Sequence, residues 1–101
     1  MIIIRASMRI KNGKEAAAMA ACRAVVAGTQ KEAGCNSYSY TIDLDDPALM
    51  HVLEIWDDEA ALMGHLQGEP FKAFMAVALE LMDPVGMAAW NGDMQPYNLA
   101  L

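Results

Sequence analysis

Glu54 and Trp56 stand two residues apart, and His65 follows one short helix later. Positions i and i+2 of a strand share a face, so an acid and an indole N–H would lie side by side there. A histidine folding back over that face is a candidate base or anion clamp near neutral pH. Together these groups could bind and orient an aromatic molecule with an acidic hydroxyl. Each also has a plainer reading. Trp56 is either a flat wall for such a ring or a large core residue at the sheet end. A buried Glu54 demands a hydrogen-bond partner, which would make His65 a tie from helix to sheet, bonded to Glu54 or to a backbone carbonyl.

Tyr38 and Tyr40 share one strand face and either donate phenolic hydrogen bonds to a ligand or fill the wall. Nine methionines could line an adaptable pocket or simply pack the core. His51 reads as a surface residue. The chain has no CxxC, no Cys/His cluster at metal-ligand spacing and no glycine-rich phosphate loop. An enzyme built this way is expected to use no cofactor.

Composition narrows the partners. A net charge of −6 with seven Lys plus Arg supplies no basic footprint for nucleic acid. Arg23 interrupts the Ala-rich stretch 15–29, and Lys72, Glu80 and Asp83-Pro84 break 71–90, so neither is a membrane span. Two cysteines, Cys22 and Cys35, and an opening run unlike a signal peptide fit unpaired thiols in a cytoplasmic setting.

The elements that must position these residues follow from periodicity. Ile2 to Ile10 alternates as a half-buried strand, and Asn12-Gly13 turns the chain. Lys14 to about Ala33 reads as a helix with Ala18, Met19, Cys22, Val25, Val26 and Thr29 inward, capped at Gly34. Asn36 to Leu44 alternates again, and the turn cluster Asp45-Asp46-Pro47 returns Leu49–Trp56 as a hairpin partner. That third strand is apolar on both faces, as expected for one covered on both sides. Asp57-Asp58-Glu59 starts a short helix to Leu66, and Glu69-Pro70 starts another. Its stripe is Phe71, Phe74, Met75, Ala78, Leu79 and Met82, and Asp83-Pro84 ends it before a last strand, Val85 to Trp90.

The order β-α-β-β-α-α-β predicts an α+β, ferredoxin-like fold with an antiparallel sheet. Residues 1–92 form one domain, and 93–101 form a tail that docks on a partner subunit. Helices on one side leave the opposite sheet face needing cover, and at 55% apolar composition a second copy is the expected cover. A homodimer follows.

Gly34-Cys35 with Tyr38, Glu54-Ile55-Trp56, Asp58-Glu59-Ala60 with Leu62 and His65, and Phe71-Lys72-Ala73-Phe74 as a set resemble the antibiotic biosynthesis monooxygenase domain family. The resemblance implies a dimeric α+β barrel in which a phenol or quinol and molecular oxygen react in a cavity between sheet and helices. It implies His65 and Trp56 as catalytic residues, with Tyr38, Tyr40, Val52, Glu54, Phe71, Phe74 and Met75 contacting the substrate. Val52 stands where antibiotic-forming members can carry a substrate-holding asparagine, which counts against a polyketide. Haem-degrading relatives carry a histidine where this chain has Met75, an asparagine at Ala6-Ser7 and a tryptophan at His65, so haem chemistry is disfavoured. The alternative is a non-redox isomerase or ligand-binding domain on the same scaffold.

Overall fold

Alternation of β-branched and polar residues makes Ile2–Ile10 a strand, β1, whose Ile2, Ile4 and Ile10 are buried while Arg5 and Arg9 face solvent. The computed structural model describes residues 1–101 and continues as α1 Glu15–Thr29, β2 Cys35–Ile42, β3 Leu49–Trp56, α2 Glu59–Leu66, α3 Glu69–Leu81 and β4 Met82–Asn91. The strands form one antiparallel sheet in the order β2-β3-β1-β4. This is the expected α+β, ferredoxin-like fold. No helix is long and apolar enough to cross a membrane.

One sheet face carries the core. Register sets Ile2 opposite Trp56, Ile4 opposite Glu54, Ala6 opposite Val52 and Met8 opposite Met50. Tyr38 pairs with Glu54 and Tyr40 with Val52, so these tyrosines share that face. Ala18, Cys22, Val25 and Thr29 of α1 press onto it, as do Phe74, Ala78 and Leu81 of α3. The other face is uncovered in the single chain. There Leu53 and Trp90 are exposed, so this chain alone covers the third strand on one side only. His51 on that face keeps 41% of its side chain exposed, as its surface reading expects, and is hydrogen-bonded on both ring nitrogens. Its Nδ1 lies 2.9 Å from Ser7 Oγ and its Nε2 lies 2.8 Å from Asp43 Oδ1.

Several boundaries differ from the periodicity reading for local reasons. α1 stops at Thr29, four residues early, because the Glu32 N–H turns back to the Thr29 carbonyl at 2.9 Å. β2 ends at Ile42, leaving Leu44 fully exposed, because the Asp43 side chain takes the Asp45 N–H at 3.0 Å and starts the turn. Asp58 lies outside α2 as its N-cap, accepting the Ala61 N–H at 2.9 Å. Asp83-Pro84 does not separate α3 from β4 but sits within the strand. Proline is tolerated there because β4 is an edge strand and the pairing with β1 shifts by a bulge beside Ser7 and Met8. Met82 is therefore a buried strand residue opposite Ile10, and Met75 and Leu79 of the expected stripe are exposed while Leu81 turns inward.

The loop joining α1 to β2 turns at Gly34, whose φ of 78° is left-handed. A Cβ there would lie 2.5 Å from that of Ala61, so α2 packs against bare backbone. Gly34→Ala should therefore lose more than the roughly 1–2 kcal/mol that a left-handed alanine costs, read as a lower urea midpoint. An unchanged midpoint would mean that the α2 contact yields freely.

Candidate functional site

Strand alternation brings Glu54 and Trp56 to the helix-covered face at the end of β3. Trp56 is 0% exposed, packed against the buried rings of Tyr38 and His65. A fully buried indole must spend its N–H on an acceptor, and Nε1 donates to Glu54 Oε1 at 3.0 Å. The N–H is therefore committed within the chain, not free for a ligand as the sequence allows. Trp56 acts on the site by holding Glu54.

Glu54 faces a hollow of about 240 Å³ between α3 and the sheet. Tyr40 and Val52 share its sheet side, and Phe71, Phe74 and Met75 come from α3. Met8, Met82 and Met87 add thioether walls. No Lys, Arg or His lines it. Burial holds the Glu54 carboxyl above the ordinary carboxylate range, outweighing the indole hydrogen bond and the charge of His65, which pull it down. Burial also raises the phenol of Tyr40, whose hydroxyl lies 3.0 Å from that of Tyr38. Tyr38 is raised first by burial and then by Tyr40, so both phenols remain protonated donors at neutral pH. The hollow thus offers one proton acceptor and one hydroxyl inside an apolar enclosure.

Six of the candidate residues come together around this space: Tyr40, Val52, Glu54, Phe71, Phe74 and Met75. Tyr38, Trp56 and His65 lie behind its wall instead. His65 is 1% exposed, with its ring 4.8 Å from Trp56, 5.2 Å from Tyr38 and 4.9 Å from Phe71. Its Nδ1 is bound to Glu32 Oε1 at 2.7 Å, not to Glu54 or to a backbone carbonyl. Glu32 was invisible to spacing, since it belongs to the loop after α1, far away in sequence. Met8 and Met87 were also missed. Their strand phase was available as a signal, because Met8 lies on the face of Ile4 and Ala6, and Met87 pairs with Ala6.

A wider, more open groove of about 450 Å³ runs between α1 and β2, past Met19, Arg23, Val26 and Ile42. It holds no carboxylate. Both cysteines are free, and burial lifts the Cys22 thiol to about 11. No group of three or more His, Cys, Asp or Glu is arranged to hold a metal ion.

The profile of the family described as antibiotic biosynthesis monooxygenase matches residues 1–77. Among solved structures, that of a Pseudomonas aeruginosa protein is similar at 30% identity, covering 98% of this chain and 94% of that one with a TM-score of 0.76. A conserved protein from Methanosarcina mazei Go1 has 27% identity over 91% of this chain and 92% of its own, with a TM-score of 0.83. A structure described as an antibiotic biosynthesis monooxygenase has 25% identity over 95% of this chain and all (100%) of its own, with a TM-score of 0.80. No curated protein matches the chain.

The state of Glu54 has a measurable signature. A carboxyl that holds its proton more tightly in the folded chain adds stability below its unfolded pKa, and that contribution fades as pH rises through the folded value. In Glu54→Gln the amide oxygen still accepts the indole N–H and no charge is buried. The variant should match the wild type in acid and gain on it once pH passes the ordinary Glu value of about 4.3. Urea melts across that range test this, and a constant difference at every pH would sink it.

Proposed function

The chain belongs to the antibiotic biosynthesis monooxygenase family, and from that premise we propose that it oxidises a neutral, electron-rich phenol or quinol with molecular oxygen and without a cofactor. The observation carrying this reading is the pairing of Glu54 with Tyr40 in an otherwise apolar hollow. A phenol entering there donates its hydroxyl proton to Glu54, whose buried carboxylate takes it readily. Phe71 and Phe74 flank the ring, and Tyr40 donates to a second oxygen of the substrate. The resulting phenolate passes an electron to dioxygen, and the radical pair joins as a ring peroxide. Loss of the ring proton and cleavage of the O–O bond then give a quinone and water. One phenol and one dioxygen are consumed, and one oxygen atom stays on the ring.

Size and charge define the substrate class further. About 240 Å³ lies below the roughly 300–1,000 Å³ of pockets for drug-sized ligands, so one or two rings fit. Glu54 repels anions and no cation lines the space, which counts against a phosphorylated substrate and hence against a sugar-phosphate isomerase. We also propose that two copies pair through the uncovered sheet face, where Leu53 and Trp90 are exposed. The exposed Met94, Tyr97 and Leu99 of the terminal tail would then reach the partner.

Oxygen uptake with small hydroquinones and naphthols should exceed the uncatalysed rate. Glu54→Gln should lower kcat by about 10²-fold or more, the usual range for loss of a general base, while the substrate still binds. Uptake at the background rate across the panel would end this reading. Separately, sedimentation at micromolar concentration should give a dimer, and Leu53→Glu should release monomers. A monodisperse wild-type monomer would overturn the pairing.

A further inference from the structure

His65 is held in a way that a purely structural tie does not explain. Its Nδ1 meets Glu32 Oε1 at 2.7 Å, and a carboxylate can only accept, so Nδ1 carries the hydrogen. In the neutral ring the lone pair then sits on Nε2. That atom is buried and has no partner within the chain. Leaving a buried acceptor unmade costs stability, and a histidine kept only to join helix to sheet would satisfy both nitrogens. The charged and titratable groups around the ring are Glu32 from the α1–β2 loop, Tyr38 from β2 and Glu54 from β3. From α3 the neighbour is Phe71, whose ring lies 4.9 Å from the imidazole and which also lines the hollow. Phe71 therefore touches both the imidazole and the hollow.

The surroundings of Glu32 are cut to its shape. Its N–H bonds the Thr29 carbonyl and its own carbonyl accepts the Cys35 N–H, which fixes the backbone on both sides. Its second carboxylate oxygen lies beside Gly68, where a Cβ would come within 2.7 Å of it. The glycine at the N-cap of α3 leaves the room that the carboxylate occupies.

We propose that Glu32 is a positioning residue that fixes His65 with Nε2 as a second proton acceptor, reached from the cavity when the Phe71 ring swings aside. This rests on the oxygenase reading, in which two protons must leave the substrate. Glu54 takes the hydroxyl proton and returns it to the distal oxygen of the ring peroxide, so that hydroxide can leave. His65 Nε2 takes the ring proton as the peroxide collapses, the C–H electron pair forms the quinone π-system, and the O–O bond breaks. The departing hydroxide recovers that proton from the imidazolium as water, while the Glu32 carboxylate balances the transient charge.

The first test needs no substrate. Nitrogen-15 NMR of the histidine ring should show His65 in the wild type with hydrogen on Nδ1 and Nε2 bare. Glu32→Ala should move hydrogen to Nε2, and Gly68→Ala, which crowds the carboxylate, should do so in part. Glu32→Gln keeps an acceptor for Nδ1, so it should keep the tautomer but lose the charge. In oxygen uptake Glu32→Gln should lower kcat at least about tenfold with KM nearly unchanged. Hydrogen on Nε2 in the wild type, or a Glu32→Gln variant with full kcat, would overturn the proposal. A wild type with the expected tautomer and no oxidation of any phenol would instead bring down the oxygenase reading, and this role with it, while leaving the Glu32–His65 geometry intact.

Discussion

The burial of one indole organises this end of the molecule. Trp56 is sealed between sheet and helices, and an indole N–H in such a place must find an acceptor or destabilise the fold. The nearest solution on a strand is the side chain two residues back, and Glu54 supplies it. That bond turns a packing requirement into an aimed carboxyl. The Trp56 ring also gives His65 a flat partner, and His65 in turn draws Glu32 inward from the surface loop. Remove the indole and the acid loses its orientation, the imidazole its stacking surface and the loop its anchor.

Much of this was legible in the amino-acid order, because strand and helix periods are local. Alternation from Ile2 to Ile10 and from Cys35 to Ile42 identifies core-facing positions, and the two-residue spacing of Glu54 and Trp56 puts them on one face. The misreadings arise where tertiary contacts decide. Helical spacing alone admits Met75 and Leu79 as core residues, yet the rotation of α3 is set by how Phe74, Ala78 and Leu81 seat on the sheet. Asp83-Pro84 looks like a break until the sheet order places it at an edge, where a missing N–H does no harm. Glu32 could not be found at all from spacing. Its partner is thirty-three residues away, and only the folded loop joins them.

The hollow and the aromatic cluster behind it divide the work by chemistry. Around the hollow the walls are soft: Met8, Met75, Met82 and Met87 present flexible thioethers. Behind the wall the side chains are rigid rings with fixed hydrogen bonds, namely Tyr38, Trp56 and His65. Shape tolerance and proton geometry therefore sit in separate layers. Exchanging methionines would reshape the hollow without disturbing the groups that orient the acid.

The edges of the sheet are unequal in a way that bears on how copies can meet. β4 carries Pro84 and a bulge against β1, so its outer margin lacks a continuous ladder of donors. β2 at the opposite edge has neither proline nor glycine within Cys35–Ile42, and its register against β3 shifts only at its start, between Cys35 and Ser37. A strand can be added cleanly only where the ladder is unbroken. Joining β2 of one copy to β4 of the next would propagate without limit into a filament, and the proline interrupts that joint. Joining β2 to β2 closes on itself after a single step. The residue that looked like a helix terminator thus denies the β4 edge the unbroken ladder that an added strand would need.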